Sequence, residues 1–183
     1  MTLANRITIG RLVLIPVFLV LLVSCTAESP EYRYGALATF IVASLSDALD
    51  GFVARAYNQK SKLGAVLDPL ADKLLVNLAF VFMSVNPVTA EAIPKWFPVI
   101  VLSRDAIIVI GGYLINEYFG PLRVRPRIGG KLNTVFQMAL VISALLGLWF
   151  SYHLMLATTL ISIVSFFDYL YMGVKQIGNE DIG

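Results

Sequence analysis

Charged residues are scarce in this sequence. Only 14% of the 183 residues are Asp, Glu, Lys or Arg, whereas 58% are hydrophobic. A soluble domain has about a quarter charged residues, so this apolar surplus requires a solvent other than water. The net charge of +2 is too small to indicate a nucleic-acid partner. The single cysteine, Cys25, excludes an internal disulfide.

The apolar residues are grouped into segments separated by polar or Pro/Gly-containing breaks, and we detect no repeat or second domain. A membrane helix needs roughly 20 apolar residues. We therefore predict an all-α polytopic membrane protein with a single domain over residues 1–183 and six transmembrane helices. We expect the first segment to be a membrane helix rather than a signal peptide. The predicted segments are 4–25, 33–55, 64–86, 94–118, 129–150 and 152–174.

Basic residues are concentrated at the N-terminus, in the second and fourth predicted loops, and in the tail. Cytoplasmic loops of membrane proteins carry the excess of Lys and Arg. The alternation fits six spans and predicts that both termini are cytoplasmic. The basic residues concerned are Arg6, Arg11, Arg55, Lys60, Lys62, Arg123, Arg125, Arg127, Lys131 and Lys175.

Four aspartates interrupt the second and third apolar segments. A charged side chain at the centre of a membrane helix costs about 2.5–3.5 kcal/mol on insertion scales, so these positions indicate function. Asp47 and Asp50 are three residues apart, and Asp68 and Asp72 are four apart. Each pair therefore shares one helix face. The short connection at 56–63 predicts that the two helices are antiparallel neighbours whose aspartates face each other near the cytoplasmic side.

Carboxylates that converge in this way repel one another unless they are protonated or neutralised by cations. Oxygen ligands favour a hard ion such as Mg²⁺ or Mn²⁺, and four carboxylates can hold two ions, as in phosphoryl-transfer sites. Arg55 lies one turn beyond Asp50, in a suitable place to bind a diphosphate. The alternative is a set of salt bridges to Arg55 or Lys73, but two cations cannot balance four acids.

A specific pattern of spacings connects these residues. It resembles the defining motif of the CDP-alcohol phosphotransferase family, also called CDP-alcohol phosphatidyltransferase class I. The six-span layout is similar too, so the resemblance covers nearly the whole chain. The matching residues are Asp47-x2-Asp50-Gly51-x2-Ala54-Arg55-x8-Gly64-x3-Asp68-x3-Asp72.

The resemblance implies a role for each motif residue. It makes the four aspartates ligands of two divalent ions, with Asp72 also the general base that deprotonates the acceptor hydroxyl. It makes Gly51, Ala54, Arg55 and Gly64 the binding site for the cytidine diphosphate group. It also implies CDP-diacylglycerol as donor, CMP as product, and a homodimer in a bacterial-type cell membrane with its active site facing the cytoplasm.

The acceptor is less clearly indicated, because the chain resembles both enzymes of the phosphatidylglycerol-making branch. Phosphatidylglycerophosphate synthases use glycerol 3-phosphate, and CMP-forming cardiolipin synthases use phosphatidylglycerol. The synthases of the first kind usually have a second arginine eight residues after the one matching Arg104, where this chain has Gly112. The stretch Ser103-Arg104-Asp105 instead resembles the sequence of CMP-forming cardiolipin synthases. We favour glycerol 3-phosphate, on its prevalence among bacterial chains of this length, and keep phosphatidylglycerol as the alternative.

Both acceptors carry a phosphate, so a basic pocket is expected. Arg104 lies in the middle of a predicted helix, away from the headgroups at the bilayer surface, and pairing with Asp105 or Asp168 is its structural alternative. Arg123 could instead be attracted to anionic headgroups. The predicted acceptor-binding residues are Arg104, Arg123, Arg125 and Lys131.

Two other classes of membrane protein also use aspartates in apolar helices. Membrane prenyltransferases hold Mg-diphosphate with aspartate pairs, but they lack the spacing of Gly51, Ala54 and Gly64. A divalent-cation transporter would use the aspartates for permeation and would leave the same small residues unexplained. Release of CMP separates the predicted enzyme from both classes.

Overall fold

The computed structural model describes the backbone of residues 3–56, 64–118 and 128–180, and side chains within 10–46, 73–115, 117–118 and 129–174. Every regular element in those ranges is an α-helix, which confirms the predicted all-α class. The helices are α1 (Leu3–Val23), α2 (Glu31–Ala56), α3 (Gly64–Val85), α4 (Trp96–Tyr118), α5 (Ile128–Leu146) and α6 (Ser151–Glu180).

Each predicted apolar segment coincides with one helix. Among the described residues, three stretches are long and apolar enough to cross a membrane: Trp96–Ile115, Gly129–Leu146 and Ser151–Val174. Shorter apolar stretches occupy Gly10–Val23 in α1 and Lys73–Val85 in α3. Membrane crossing by all six helices and the cytoplasmic placement of both termini stay predictions.

The start of α2 follows from a proline. Proline cannot donate a backbone hydrogen bond, so it is suited to a helix start. The carbonyl of Pro30 accepts the amide N–H of Arg33 at 3.1 Å, which begins the helical ladder. Glu31 occupies the first turn, where a negative charge interacts favourably with the helix dipole.

The end of α5 differs from the prediction, because the segment expected to reach residue 150 ends at 146. Gly147 has φ of 67°, a left-handed conformation that glycine adopts at low cost. The N–H of Gly147 donates to the Ala144 carbonyl at 3.1 Å, and that of Leu148 to the Ser143 carbonyl at 3.0 Å. These are the two bonds of a Schellman motif. Arg33 Nη2 also donates to the Ala144 carbonyl, at 2.8 Å.

A buried amide joins the ends of α1 and α3. Asn86 Nδ2 donates to the carbonyls of Leu22 and Cys25, both at 3.0 Å. The hydroxyl of Thr89 donates to the Met83 carbonyl at 2.8 Å. Carbonyls at helix ends have no partner within the helix, so these side chains satisfy them. This end of the bundle is opposite the motif-bearing ends of α2 and α3.

The core is made by α1, α2, α3 and α5 together with the first parts of α4 and α6. Phe18 packs on Phe40 with ring centroids 5.7 Å apart. Phe80 meets Phe97 edge to face at 4.9 Å, a geometry that aromatic pairs prefer. All four rings are fully buried. These contacts fix α3 against α4 and α1 against α2.

Helices α4 and α6 lie at the periphery of the bundle. They contact each other, while α4 also contacts α3 and α6 also contacts α5. Only 17% of their apolar stretches is buried, against 39% for α5. Their outward side chains are mostly aliphatic or aromatic, which is the composition that a lipid environment favours.

Candidate active site

The aspartate motif lies on two helices that contact each other. Asp47 and Asp50 belong to the last turns of α2, and Asp68 and Asp72 to the first turns of α3. Both stretches are continuous helix, so each pair shares one helix face. Contacts join α2 to α3. The predicted contact between the two aspartate-bearing helices is therefore observed, and the convergence of the two aspartate pairs stays a prediction.

The side chains of the motif lie outside the described side chains. Consequently, their roles as ligands, as base and in nucleotide binding stay predictions. Elsewhere, the described side chains contain no group of three or more His, Cys, Asp or Glu that could hold a metal ion. The residues concerned are Asp47, Asp50, Gly51, Ala54, Arg55, Gly64, Asp68 and Asp72.

An ion cluster begins at the residue after the motif. Lys73 Nζ lies 2.9 Å from Asp105 Oδ2, and Arg104 Nη1 lies 2.7 Å from Asp105 Oδ1. Asn77 Nδ2 donates to Asp105 Oδ2 at 3.4 Å. The Asp105 side chain is only 9% exposed. A buried carboxylate requires such partners, and here they connect the motif helix α3 to α4.

Arg104 extends the cluster to α6. Its Nη2 donates to Ser165 Oγ at 2.8 Å, and its side chain is 11% exposed. A Cβ added to Gly129 would lie 3.8 Å from the same Ser165 Oγ. The first turn of α5, which carries the exposed Lys131, is therefore close to this serine. Three helices, α4, α5 and α6, meet beside Arg104.

The predicted acceptor-binding residues have different outcomes. Arg104 pairs with Asp105, the structural alternative that the sequence had indicated, and it still lines a cavity described below. Lys131 is exposed on α5. Arg123 and Arg125 lie outside the described residues. The function of all four in acceptor binding stays a prediction.

A hydrogen bond between buried polar side chains joins α5 to α6. Ser162 Oγ donates to Asn133 Oδ1 at 2.5 Å, and both residues are buried. Gln137, one turn after Asn133, is buried as well. Polar residues inside apolar helices hold helices together in membranes. The spacing of these two residues on one face of α5 is a signal that sequence reasoning could have used for this contact.

A cavity of ≈ 250 Å³ lies between α4 and α6, and Arg104 is part of its lining. Sequence reasoning did not predict it, because it depends on how the two peripheral helices pack. Its apolar lining alone has no sequence signature distinct from that of a lipid-facing helix. The lining residues are Val99, Ile100, Ser103, Arg104, Ile107, Ser162, Ile163 and Phe166.

Helices α4 and α6 approach each other closely at Gly112. A Cβ added there would lie 2.8 Å from the hydroxyl oxygen of Tyr169 on α6, a separation that real Cβ atoms do not adopt. Any larger residue would force the tyrosine to move. Gly112 occupies the position where an arginine is expected in the glycerol 3-phosphate enzymes. In this chain that position lies in the contact between α4 and α6, which leaves no room for a larger side chain.

Comparison with known proteins gives a consistent result. The family model described as CDP-alcohol phosphatidyltransferase matches residues 1–169. That match covers more than half of the chain, from α1 into α6. The chain belongs to the CDP-alcohol phosphatidyltransferase family. The family predicted from the aspartate motif is confirmed.

Similar members of the CDP-alcohol phosphatidyltransferase family carry two kinds of name. A rat cardiolipin synthase (CMP-forming) is 30% identical over 199 residues, which cover 96% of this chain and 63% of the relative. A CDP-diacylglycerol–glycerol-3-phosphate 3-phosphatidyltransferase of Aquifex aeolicus is 32% identical over 192 residues, covering 98% of this chain and 100% of the relative. A protein of Escherichia coli with the same name is 32% identical over 140 residues, 72% of this chain and 70% of the relative.

The chain thus spans less than two thirds of the rat cardiolipin synthase and all of the Aquifex transferase. Sequence identity to the two kinds of CDP-alcohol phosphatidyltransferase is nearly equal, so it does not distinguish between the two acceptors. The choice has to come from the residues beside the motif.

Proposed function

We propose that the protein transfers the phosphatidyl group of CDP-diacylglycerol to a hydroxyl of a glycerol-type acceptor and releases CMP. One observation carries this proposal: two aspartate pairs, each on one helix face, lie on the contacting helices α2 and α3. Carboxylates in apolar helices mark function. The names of relatives in the family include this reaction with glycerol 3-phosphate.

The donor chemistry of the motif fits two Mg²⁺ or Mn²⁺ ions. All four candidate ligands, Asp47, Asp50, Asp68 and Asp72, are carboxylates, and carboxylate oxygens are the ligands that hard divalent cations prefer. When bound, the ions would neutralise the acids and stabilise the negative charge that develops on the transferred phosphoryl group.

In the proposed reaction, Asp72 accepts the proton of the acceptor hydroxyl. The hydroxyl oxygen forms a bond to the phosphorus that bears the diacylglycerol. The bond from that phosphorus to the bridging oxygen breaks, and CMP leaves with the electron pair. Arg55 would bind the diphosphate, and Gly51 and Ala54 would leave room for the nucleotide to approach α2 closely.

We further propose six membrane spans, a site on the cytoplasmic side of a bacterial-type cell membrane, and a homodimer. The three apolar stretches in α4, α5 and α6 support membrane crossing. The clustering of Lys and Arg in alternate loops supports the orientation. The homodimer rests on family resemblance alone.

The test is CMP release by the purified full-length chain in mixed micelles with CDP-diacylglycerol, Mg²⁺, and either glycerol 3-phosphate or phosphatidylglycerol. The proposal expects CMP with at least one acceptor and none from Asp68→Asn. Release of pyrophosphate from a prenyl diphosphate would instead indicate a prenyltransferase. Ion flux into vesicles that lack CDP-lipid would indicate a transporter.

A further inference from the structure

The cavity of ≈ 250 Å³ between α4 and α6 is called the slot below. Its lining on α4 extends from Val99 to Ile107, and the rise between these two residues along a helix is about 12 Å. Ile107 and Ile163 on its walls are 46% and 39% exposed, so the slot opens toward the outside of the bundle. That side carries the apolar surfaces of α4 and α6.

Most of the lining is hydrocarbon. Val99, Ile100, Ile107, Ile163 and Phe166 form the apolar walls. Transfer of apolar surface into such an environment is favourable, whereas a polar group that enters without a partner costs free energy. The walls therefore suit a hydrocarbon chain rather than a small polar acceptor.

Two polar side chains of the lining, Ser162 and Arg104, are already bonded to protein groups. Ser162 donates to Asn133. Arg104 uses Nη1 for Asp105 and Nη2 for Ser165. A guanidinium has five N–H groups, so each terminal nitrogen keeps one further N–H, and the buried Nε–H has no hydrogen-bond partner among the described residues. Arg104 can therefore donate hydrogen bonds to one singly charged phosphodiester. A dianionic phosphate monoester would lose more hydration on entering the slot, and Arg104 has too few remaining N–H groups to replace it.

The part of the slot that is lined by Arg104 lies beside the reaction site proposed above. Arg104 and Lys73 share the Asp105 carboxylate, at 2.7 and 2.9 Å. Lys73 directly follows Asp72, the proposed base, on α3. A headgroup next to Arg104 is therefore near the motif-bearing end of α3, and the chain attached to it can lie along the slot toward Val99.

We propose that this slot holds an acyl chain of the acceptor, which is therefore an anionic glycerophospholipid whose phosphodiester lies beside Arg104 and whose headgroup hydroxyl reacts. The inference rests on the proposed phosphatidyl transfer and names the acceptor class for it. The charge complementarity of Arg104 to a phosphodiester, and the continuity of the slot with the apolar exterior, select this occupant.

The activity test uses substitutions that place a larger side chain in the slot, one from α4 and one from α6. Ile163→Trp and Ile107→Trp place a larger side chain in it, and Val164→Trp and Ile110→Trp are matched controls. The control positions neighbour the slot, do not line it, and are 61% and 58% exposed. CMP release from CDP-diacylglycerol with phosphatidylglycerol should fall about tenfold or more in both slot variants. It should stay within about twofold of wild type in both controls.

Glycerol 3-phosphate should support little CMP release in any of these proteins. If it supports release that equals or exceeds the release with phosphatidylglycerol, or if the slot variants match their controls, the inference is overturned and the proposed function stands. If neither acceptor yields CMP, the proposed function fails instead.

A binding test decides the inference without turnover. Phosphatidylglycerol and phosphatidylcholine, each with a photoactivatable diazirine at the end of an acyl chain, are cross-linked to the wild-type protein in vesicles. Peptides from α4 and α6 that line the slot should be labelled preferentially by phosphatidylglycerol, and Ile163→Trp should remove that preference while Val164→Trp keeps it. Equal labelling by both lipids would contradict the inference.

Discussion

Replacing Asp105 by asparagine tests how strongly the ion cluster holds the bundle. Asparagine keeps the shape of the side chain and one acceptor oxygen, so the loss comes mainly from charge. Breaking a buried ion pair by removing one partner costs about 3–5 kcal/mol. Arg104 is 11% exposed and loses its carboxylate in a buried setting. Lys73 is 35% exposed, so its share is about 0–1 kcal/mol.

We therefore expect Asp105→Asn to lower the free energy of unfolding by about 3 kcal/mol, most of it through Arg104. Titration of the protein in mixed micelles with dodecyl sulfate, followed by fluorescence of Trp96 and Trp149, measures this quantity. Glu117→Gln, an exposed change on the same helix, is the control and should stay within about 0.5 kcal/mol of wild type.

A double-mutant cycle assigns the loss to one partner. The coupling of Arg104 to Asp105 should exceed that of Lys73 to Asp105, because burial strengthens the first pair. The joint change Arg104→Met with Asp105→Leu should recover most of the stability, since apolar residues can replace a buried pair at little cost. An Asp105→Asn protein as stable as Glu117→Gln, or equal coupling of the two cations, would refute the reasoning.

Three further predictions concern the motif and the backbone. Asp72→Asn should abolish CMP release while divalent-ion binding is partly kept; near-normal turnover would contradict its role as base. A strong chelator should stop CMP release and added Mg²⁺ or Mn²⁺ should restore it, whereas turnover that persists in chelator would exclude the metal site. Gly147→Ala should destabilise the fold by about 1–2 kcal/mol, because φ of 67° strains alanine and its Cβ would lie 2.6 Å from Arg33 Nη2. Gly111 is a helical position with open space around it, so Gly111→Ala should instead be neutral or stabilising by up to about 1 kcal/mol. Thermal unfolding of the two variants measures the difference in stability, and equal changes in melting temperature would contradict the prediction.

The helices could be predicted from sequence because hydropathy is a local property. Runs of apolar residues broken by Pro30, Asn86-Pro87 and the stretch after Gly120 predicted all six helices of the described chain. The end of α5 was missed because the residues after Gly147 are still apolar, and hydropathy does not detect a left-handed glycine. The aspartate motif was predictable since it lies within two helices with fixed spacing.

The packing of α4 on α6 could not be predicted in the same way. Asp105 was one of two partners suggested for Arg104, and no rule of spacing indicated that Lys73 would share its carboxylate. That contact depends on how α3 packs against α4 at Lys73 and Asp105, and the Phe80–Phe97 pair fixes this packing about two turns away. The slot beside Arg104 follows from the same packing together with α6.

The two roles considered for Arg104 are compatible with each other. A guanidinium held by Asp105 and Ser165 is already oriented, so an incoming anion does not have to order it. The same carboxylate also neutralises much of its charge, so electrostatic attraction alone would bind a soluble dianion weakly. A lipid acceptor avoids that difficulty, because burial of its acyl chain places the phosphodiester beside Arg104 and the guanidinium has only to fix its position.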